Sequence, residues 1–302
     1  MRTLVLALAV IVAVVAGGPR ASADTLTVGV FAPAASFDGA AARVDLANRL
    51  AAALGKAAGA DGVGRVYGRA GDFAAAVKNG EVQVALVDAT YLAAAGLGNG
   101  TVIAASTHGG DTGRVWQIVA RGGAKNVLAL QRKKLLVPAI GGRETDFVMN
   151  AMFGGELGKG FFASITASPD TASTLAALGL GKADAALVPA TAALPAGVVK
   201  VTTLLSVPGP VLVAYGTMTD ARRRELATAA TSFKGDSVVG GFKTADSDVV
   251  RGLAKRFATQ SRKGPMAVPS VRIVVGDLVA ARTLVITPGD ATRYVAPVEM
   301  PR

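Results

Sequence analysis

The sequence predicts an α/β protein of two similar lobes, each a mainly parallel sheet flanked by helices, with the chain crossing between them twice. Three observations carry this. Short β-branched runs alternate with helical patterns along most of the chain. A unit of 24 residues occurs twice, at 73–96 and 174–197, with ten identical positions and no gap. Two pairs of extended runs surround glycine-rich or proline-rich junctions of the kind a crossover needs.

In chain order, Leu26–Phe31 is a short strand ending at Ala32-Pro33. Leu46, Leu50, Ala53 and Ala57 follow at helical spacing. A strand at Gly64–Tyr67 and a helix starting near Gly71-Asp72 lead into the first repeat copy. Each copy reads as a helix, a glycine stop (Gly80 or Gly181), a buried strand containing Ala-Leu-Val, and a polar loop containing Ala-Thr. Thr101–Ser106 and Val115–Ala120 are extended runs around His108-Gly-Gly-Asp111, the first expected crossover. Leu135–Pro138 and Phe161–Thr166 read as strands, with a helix over Glu144–Phe153 between them. Ser168-Pro169 opens the helix of the second copy. Val198–Leu205, Pro208-Gly-Pro210 and Val211–Tyr215 form the second crossover, after which helices at 220–233 and 246–258 return to the first lobe. Val271–Val275 and Thr283–Ile286 read as a C-terminal strand pair. The expected organisation is a leader at 1–23, a discontinuous first lobe at 24–108 plus 209–302, and a second lobe at 109–208.

The leader has the form of an export signal. Arg2 precedes an apolar run from Leu4 to Ala16, helix breakers follow, and Ala21-Ser-Ala23 offers a cleavage site before Asp24. The run is too short for the ~20 residues a spanning helix needs. With no cysteine in 302 residues, lipid attachment at the leader is excluded, so the expectation is a free periplasmic protein. Loss of Arg2 and Arg20 leaves 30 basic against 21 acidic residues, a formal charge of +9. No basic stripe is interleaved with aromatics, so nucleic acid is not expected as a partner.

The same composition removes much chemistry. Zero cysteines and one histidine rule out thiolate sites, most zinc sites and H-E-x-x-H. No G-x-S-x-G is present, and the Gly-Lys pairs at 55–56, 158–159 and 181–182 lack the rest of a phosphate-binding loop. Ser106, His108 and Asp111 lie too close on one extended segment to form a triad. No catalytic residue, metal or cofactor is therefore expected. An enzyme such as a lyase or dehydratase working through Asp88 or Glu144 is the competing reading.

Helix N-termini at strand ends remain, where free N–H groups favour anions. Three loops qualify: Ser36-Phe37-Asp38, Asp88-Ala-Thr90-Tyr91 and Gly142-Arg143-Glu144-Thr145. Arg143 can grip an anion with two hydrogen bonds. Thr90 and Thr191 stand at matching points of the repeat, as ligand donors or as helix caps. The candidate ligand-binding set is Ser36, Phe37, Asp88, Thr90, Tyr91, His108, Gly142, Arg143, Thr145 and Thr191.

The segments Leu26–Pro33, Gly80 with Val84–Tyr91, and Val127–Pro138 resemble solute-binding proteins of ABC transporters, in particular the phosphate/phosphite/phosphonate-binding group of the type II periplasmic class. The resemblance covers roughly residues 25–235. It implies two lobes joined by a two-strand hinge, closing as a monomer on a small polar, anionic ligand and delivering it to a membrane permease without chemistry. Members of that group carry a Ser/Thr-rich stretch ending in glycine where this chain has Gly141-Gly-Arg-Glu-Thr-Asp146, with Thr145 the comparable donor. A sensor or accessory role, with 261–302 as the contact segment, is the alternative within the same fold.

Overall fold

The computed structural model describes residues 25–258 together with Val271–Arg272 and Thr287–Pro288. The expected export signal lies outside the described residues. By its contacts the chain divides into residues 1–260 and 261–302. The expected assignment of 261–302 to the first lobe lies, apart from Val271–Arg272 and Thr287–Pro288, outside the described residues. Val271–Arg272 pairs antiparallel with Thr287–Pro288, so the second strand falls just after the expected Thr283–Ile286.

The first lobe is built from β1 (Thr25–Phe31), α1 (Ala40–Ala57), β2 (Asp61–Val66), α2 (Ala70–Lys78), β3 (Val84–Asp88), α3 (Ala89–Ala95) and β4 (Thr101–Thr107). The chain then enters the second lobe through β5 (Gly113–Arg121), β6 (Lys134–Pro138), α4 (Glu144–Asp146), β7 (Ser164–Ser168), α5 (Thr171–Gly179), β8 (Ala185–Pro189) and β9 (Val198–Pro208). It returns with β10 (Pro210–Ala214), α6 (Asp220–Thr231), β11 (Gly241–Thr244) and α7 (Asp248–Phe257). The sheets have the orders β11-β4-β10-β3-β1-β2 and β7-β6-β8-β5-β9. Each is parallel over three strands (β2-β1-β3 and β7-β6-β8) and antiparallel where the crossover strands join. The chain passes between the sheets at residues 108–112, closed by a bridge between His108 and Asp111, and again at Gly209. The Gly209 N–H donates to Thr112 O at 2.9 Å, so the two crossings are tied side by side.

The repeat is structural. The helix and strand of the second copy, α5 and β8, begin and end 101 residues after α2 and β3, the offset of the sequence alignment. Both helices stop in the same way. Gly80 and Gly181 take φ of 73° and 74°, the left-handed region where a side chain is strained. Their N–H groups bond Val77 O and Leu178 O, and the next residues, Glu81 and Lys182, bond Ala76 O and Ala177 O. β3 and β8 are buried along their full length, which explains their unbroken apolar sequences.

Some elements differ from expectation for identifiable reasons. The helix expected over Glu144–Phe153 is one α turn followed by a π-helix at Phe147–Met152. The strand expected at Phe161–Thr166 pairs with β6 only from Ser164. Asp170, rather than Ser168, caps α5, accepting from the Ser173 N–H at 2.8 Å. β11 is four residues long and has no periodicity to read. α7 packs on α3 of the first lobe and on the π-helix of the second, so it spans both lobes instead of returning to one. One continuous buried cluster, including Phe31, Val87, Trp116, Phe147 and Phe257, likewise runs through both.

Candidate functional site

Between the two sheets lies a cavity of about 270 Å³. Its walls come from the β1–α1 loop (Ala34, Ser36, Asp38), the C-terminal end of β3 (Asp88, Thr90), the crossovers (His108, Gly209), β5 (Arg114, Trp116) and the end of β8 (Thr191). Thr90 and Thr191, equivalent in the repeat, face it from different lobes.

Asp88 ends the fully buried β3 and starts α3, but its side chain does not cap that helix. It turns to the neighbouring loop, where its Oδ2 accepts the Ala34 N–H at 2.6 Å. Asp88 is 4% exposed. Burial pushes its carboxyl from the ordinary 3.8 up to about 7, against the downward pull of the Ala34 N–H and of the Arg43 and Arg114 charges.

Arg114 is the cavity's guanidinium. It is fixed by four acceptors: Asp111 O at 3.2 Å, Gly113 O at 3.3 Å, and Ser106 Oγ and Val238 O at 3.4 Å. None is a carboxylate, so its charge has no hydrogen-bonded counterion among the described residues. A Cβ at Gly209 would stand 3.1 Å from the Arg114 Cζ, which explains the glycine at the second crossing. Burial lowers the Arg114 pKa from its usual value, while Asp88 pulls it back up. Two residues on, on the same face of the strand, Trp116 places its indole in the wall, packed edge-on against Phe147 at 5.0 Å.

The hydrogen-bond accounting points to this cavity. Among the described residues, five buried side-chain polar atoms have no partner: Ser36 Oγ, Arg43 Nε, Tyr67 Oη, Thr90 Oγ1 and Trp116 Nε1. Three of the five belong to residues lining this one space. A buried unpaired polar group costs about 1–3 kcal/mol, and three such residues around one space make it the candidate for a site that a ligand completes. Hydroxyls, an indole N–H and a guanidinium suit a guest rich in acceptor oxygens.

The lobes also touch directly. The Thr171 N–H donates to Pro33 O at 3.0 Å, and its hydroxyl donates to Ala34 O at 3.0 Å. Asp170 pairs with Arg43 at 3.3 Å, and the Arg43 guanidinium lies over the Phe37 ring at 5.3 Å. The start of α5 thus clasps the loop that carries Ser36.

Of the residues chosen from sequence, Ser36, Asp88, Thr90, His108 and Thr191 line the cavity, and five do not. Arg143 is taken up elsewhere: its Nε donates to Asp146 Oδ2 at 2.8 Å and its guanidinium lies 5.4 Å from the Phe257 ring, joining α4 to α7. Gly142 donates its N–H to Glu144 Oε1, which also accepts from Ile140, so this turn satisfies itself. Thr145 faces a separate apolar cavity with Met149, Phe161 and Phe162. Tyr91 is buried in an aromatic cluster, 4.8 Å from the Phe31 ring. Phe37 is buried beneath Arg43. Sequence reasoning missed Arg114 and Trp116 because its candidates come from helix N-termini, the repeat and the first crossover loop, and none from within a strand. Their signal was the alternation of the crossover strand, which turns both toward one side and leaves Val115 exposed.

No family model and no curated sequence matches the chain. Solved structures do. XAC2383 from Xanthomonas citri, bound to ATP, is 10% identical with a TM-score of 0.59, over 78% of this chain and 97% of that one. A binding protein component of an ABC phosphonate transporter from Pseudomonas aeruginosa is 11% identical with a TM-score of 0.59, over 78% and 85%. PhnD1 from Prochlorococcus marinus, in complex with methylphosphonate, is 14% identical with a TM-score of 0.59, over 77% and 97%. The fold is that of the type II periplasmic binding proteins. The two-sheet arrangement and the double crossing are what bring Thr90 and Thr191 to one cavity. Among the described residues no group of three or more His, Asp or Glu is placed to hold a metal ion, and no helix is long and apolar enough to cross a membrane.

Proposed function

We propose that the protein is an exported solute-binding protein that holds a small oxyanion between its lobes and delivers it to an ABC permease. The observation that carries this reading is one cavity lined by Arg114 and by Ser36, Thr90 and Trp116, each of which has a buried side-chain polar atom without a partner among the described residues. The volume is at the small end for ligand sites, which favours a compact anion of the phosphate or phosphonate class over a nucleotide. The leader and the absence of cysteine support a soluble periplasmic protein, and the binding-protein fold supports the permease as partner. A binding role without turnover is favoured over the lyase reading through Asp88 or Glu144, because Glu144 is occupied by its own turn and does not line the cavity with Asp88.

Thermal unfolding with methylphosphonate, phosphate, phosphite, methanesulfonate and amino acids tests this. At least one oxyanion raises the melting temperature in a saturable way and is recovered unchanged. A panel in which no oxyanion does so contradicts the proposal. Dependence of cellular uptake of the bound compound on this protein and on a permease tests the transport step.

A further inference from the structure

Asp88 stands apart from the other walls of the cavity. It is the buried carboxylate of the wall, which also carries the exposed Asp38, and its side chain's only hydrogen bond among the described residues is the one from the Ala34 N–H to Oδ2. No donor among the described residues reaches Oδ1. The two nearby guanidinium groups are engaged elsewhere, Arg43 with Asp170 and Arg114 with three carbonyls and a hydroxyl. A bare carboxylate here would oppose an incoming anion through a low-dielectric space, with neither charge solvated. A neutral carboxylic acid would instead present an O–H to the same guest. We propose that the cavity captures its oxyanion together with one proton, held on Asp88, which donates a hydrogen bond to the ligand. This rests on the oxyanion reading above and adds to it the role of Asp88 as a specificity-determining residue and the coupling of capture to pH.

The surroundings permit the coupling. The charged groups facing Asp88 are Arg43 from α1, itself balanced by Asp170 of α5, and Arg114 from β5. Asp38 and His108 line the same cavity, and Tyr91 follows on α3. Burial already holds the empty site's carboxyl at about 7, so an anion arriving beside it shifts the balance further toward the protonated form. Below that pH the proton is already present and affinity is flat. Above it a proton must come from solution, and affinity falls about tenfold per pH unit.

The test compares the wild-type chain with Asp88→Asn, using methylphosphonate at pH 5.5 to 9. The ratio of the two dissociation constants cancels the ligand's own titration and the contributions of Asp38 and His108, which both proteins share. The wild-type constant should rise relative to that of the variant by about tenfold per pH unit above pH 7. Calorimetry in buffers of different ionisation enthalpy should show the wild type taking up close to one more proton than D88N at pH 8. Carbon-13 NMR of the Asp88 carboxyl in the wild type, with and without methylphosphonate, gives a readout that needs no variant: saturation should move the titration midpoint upward by more than one pH unit. A pH-independent ratio, equal proton uptake, or a midpoint that stays put or falls overturns the proton coupling and leaves oxyanion binding intact. If neither protein binds methylphosphonate, phosphate, phosphite or methanesulfonate at any pH, the oxyanion reading is removed, and this inference with it; if one of the other three binds in place of methylphosphonate, the same comparison is made with that anion.

Discussion

Replacing Asp88 by Asn in the ligand-free protein should make it more stable, by an amount that depends on pH. Asn preserves the shape and the acceptor for the Ala34 N–H but has no charge to bury. In the folded chain the Asp88 carboxyl sits at about 7 against an ordinary 3.8, a difference of about three pH units. At 1.36 kcal/mol per unit, ionising it in place costs about 4 kcal/mol. For an acid whose folded value is raised, the native state binds more protons than the unfolded state between the two values, so the wild type loses stability as pH rises through that window. The stability difference, D88N minus wild type, should be small below pH 4. It should grow by up to about 1.4 kcal/mol per pH unit to near pH 7, and level off at about 4 kcal/mol above pH 8. Urea unfolding of both proteins at pH 4, 5.5, 7 and 8.5, followed by the fluorescence of Trp116, measures it, since other titrating groups cancel in the difference. A difference that stays constant across this range would show that Asp88 ionises normally, and that its burial does not outweigh the neighbouring arginines.

Four further outcomes are expected. Arg114→Gln should weaken oxyanion binding about 10- to 150-fold, the loss of a charge-assisted hydrogen bond worth roughly 1.5–3 kcal/mol, read by calorimetry. Trp116→Phe keeps the ring packing against Phe147 but removes the N–H, and should cost about fivefold in affinity in the same titration. Arg143→Gln should leave affinity within about twofold and lower stability by no more than about 1 kcal/mol, because its ion pair with Asp146 is partly exposed; a large loss of binding would return Arg143 to the site. Thr171→Val together with Asp170→Asn removes the side-chain part of the clasp between the lobes, leaving the Thr171 N–H bond to Pro33 O, and should raise the ligand-free radius of gyration in small-angle scattering and speed ligand release.

How much of this was legible in the sequence follows from which signals are local. The repeat was the best guide, because a glycine stop followed by a buried Ala-Leu-Val strand is written in consecutive residues, and Gly80 and Gly181 do adopt the same left-handed geometry. It also placed Thr90 and Thr191 as counterparts. The site itself was half visible. A strand end such as Asp88 can be read from its flanking pattern, but whether an arginine is free depends on partners far along the chain. Arg143 looks available until Phe257 is found 114 residues away, and Arg114 looks like a crossover residue until Val238 O and Ser106 Oγ are seen holding it toward the cavity. The π-helix at Phe147–Met152 was invisible too: its apolar spacing fits an α-helix equally well.

The central claim is that an oxyanion sits between the lobes against Arg114, Ser36, Thr90 and Trp116. The chain contains a single tryptophan, and its unpaired indole N–H belongs to the wall of that cavity, so its emission reports occupancy directly. Titration of the wild type with methylphosphonate and phosphate should give a saturable change in Trp116 fluorescence that Arg114→Gln moves to about 10- to 150-fold higher concentration. Binding detected by calorimetry with no change in Trp116 emission, or an unchanged titration in the Arg114 variant, would place the ligand somewhere else and contradict the account.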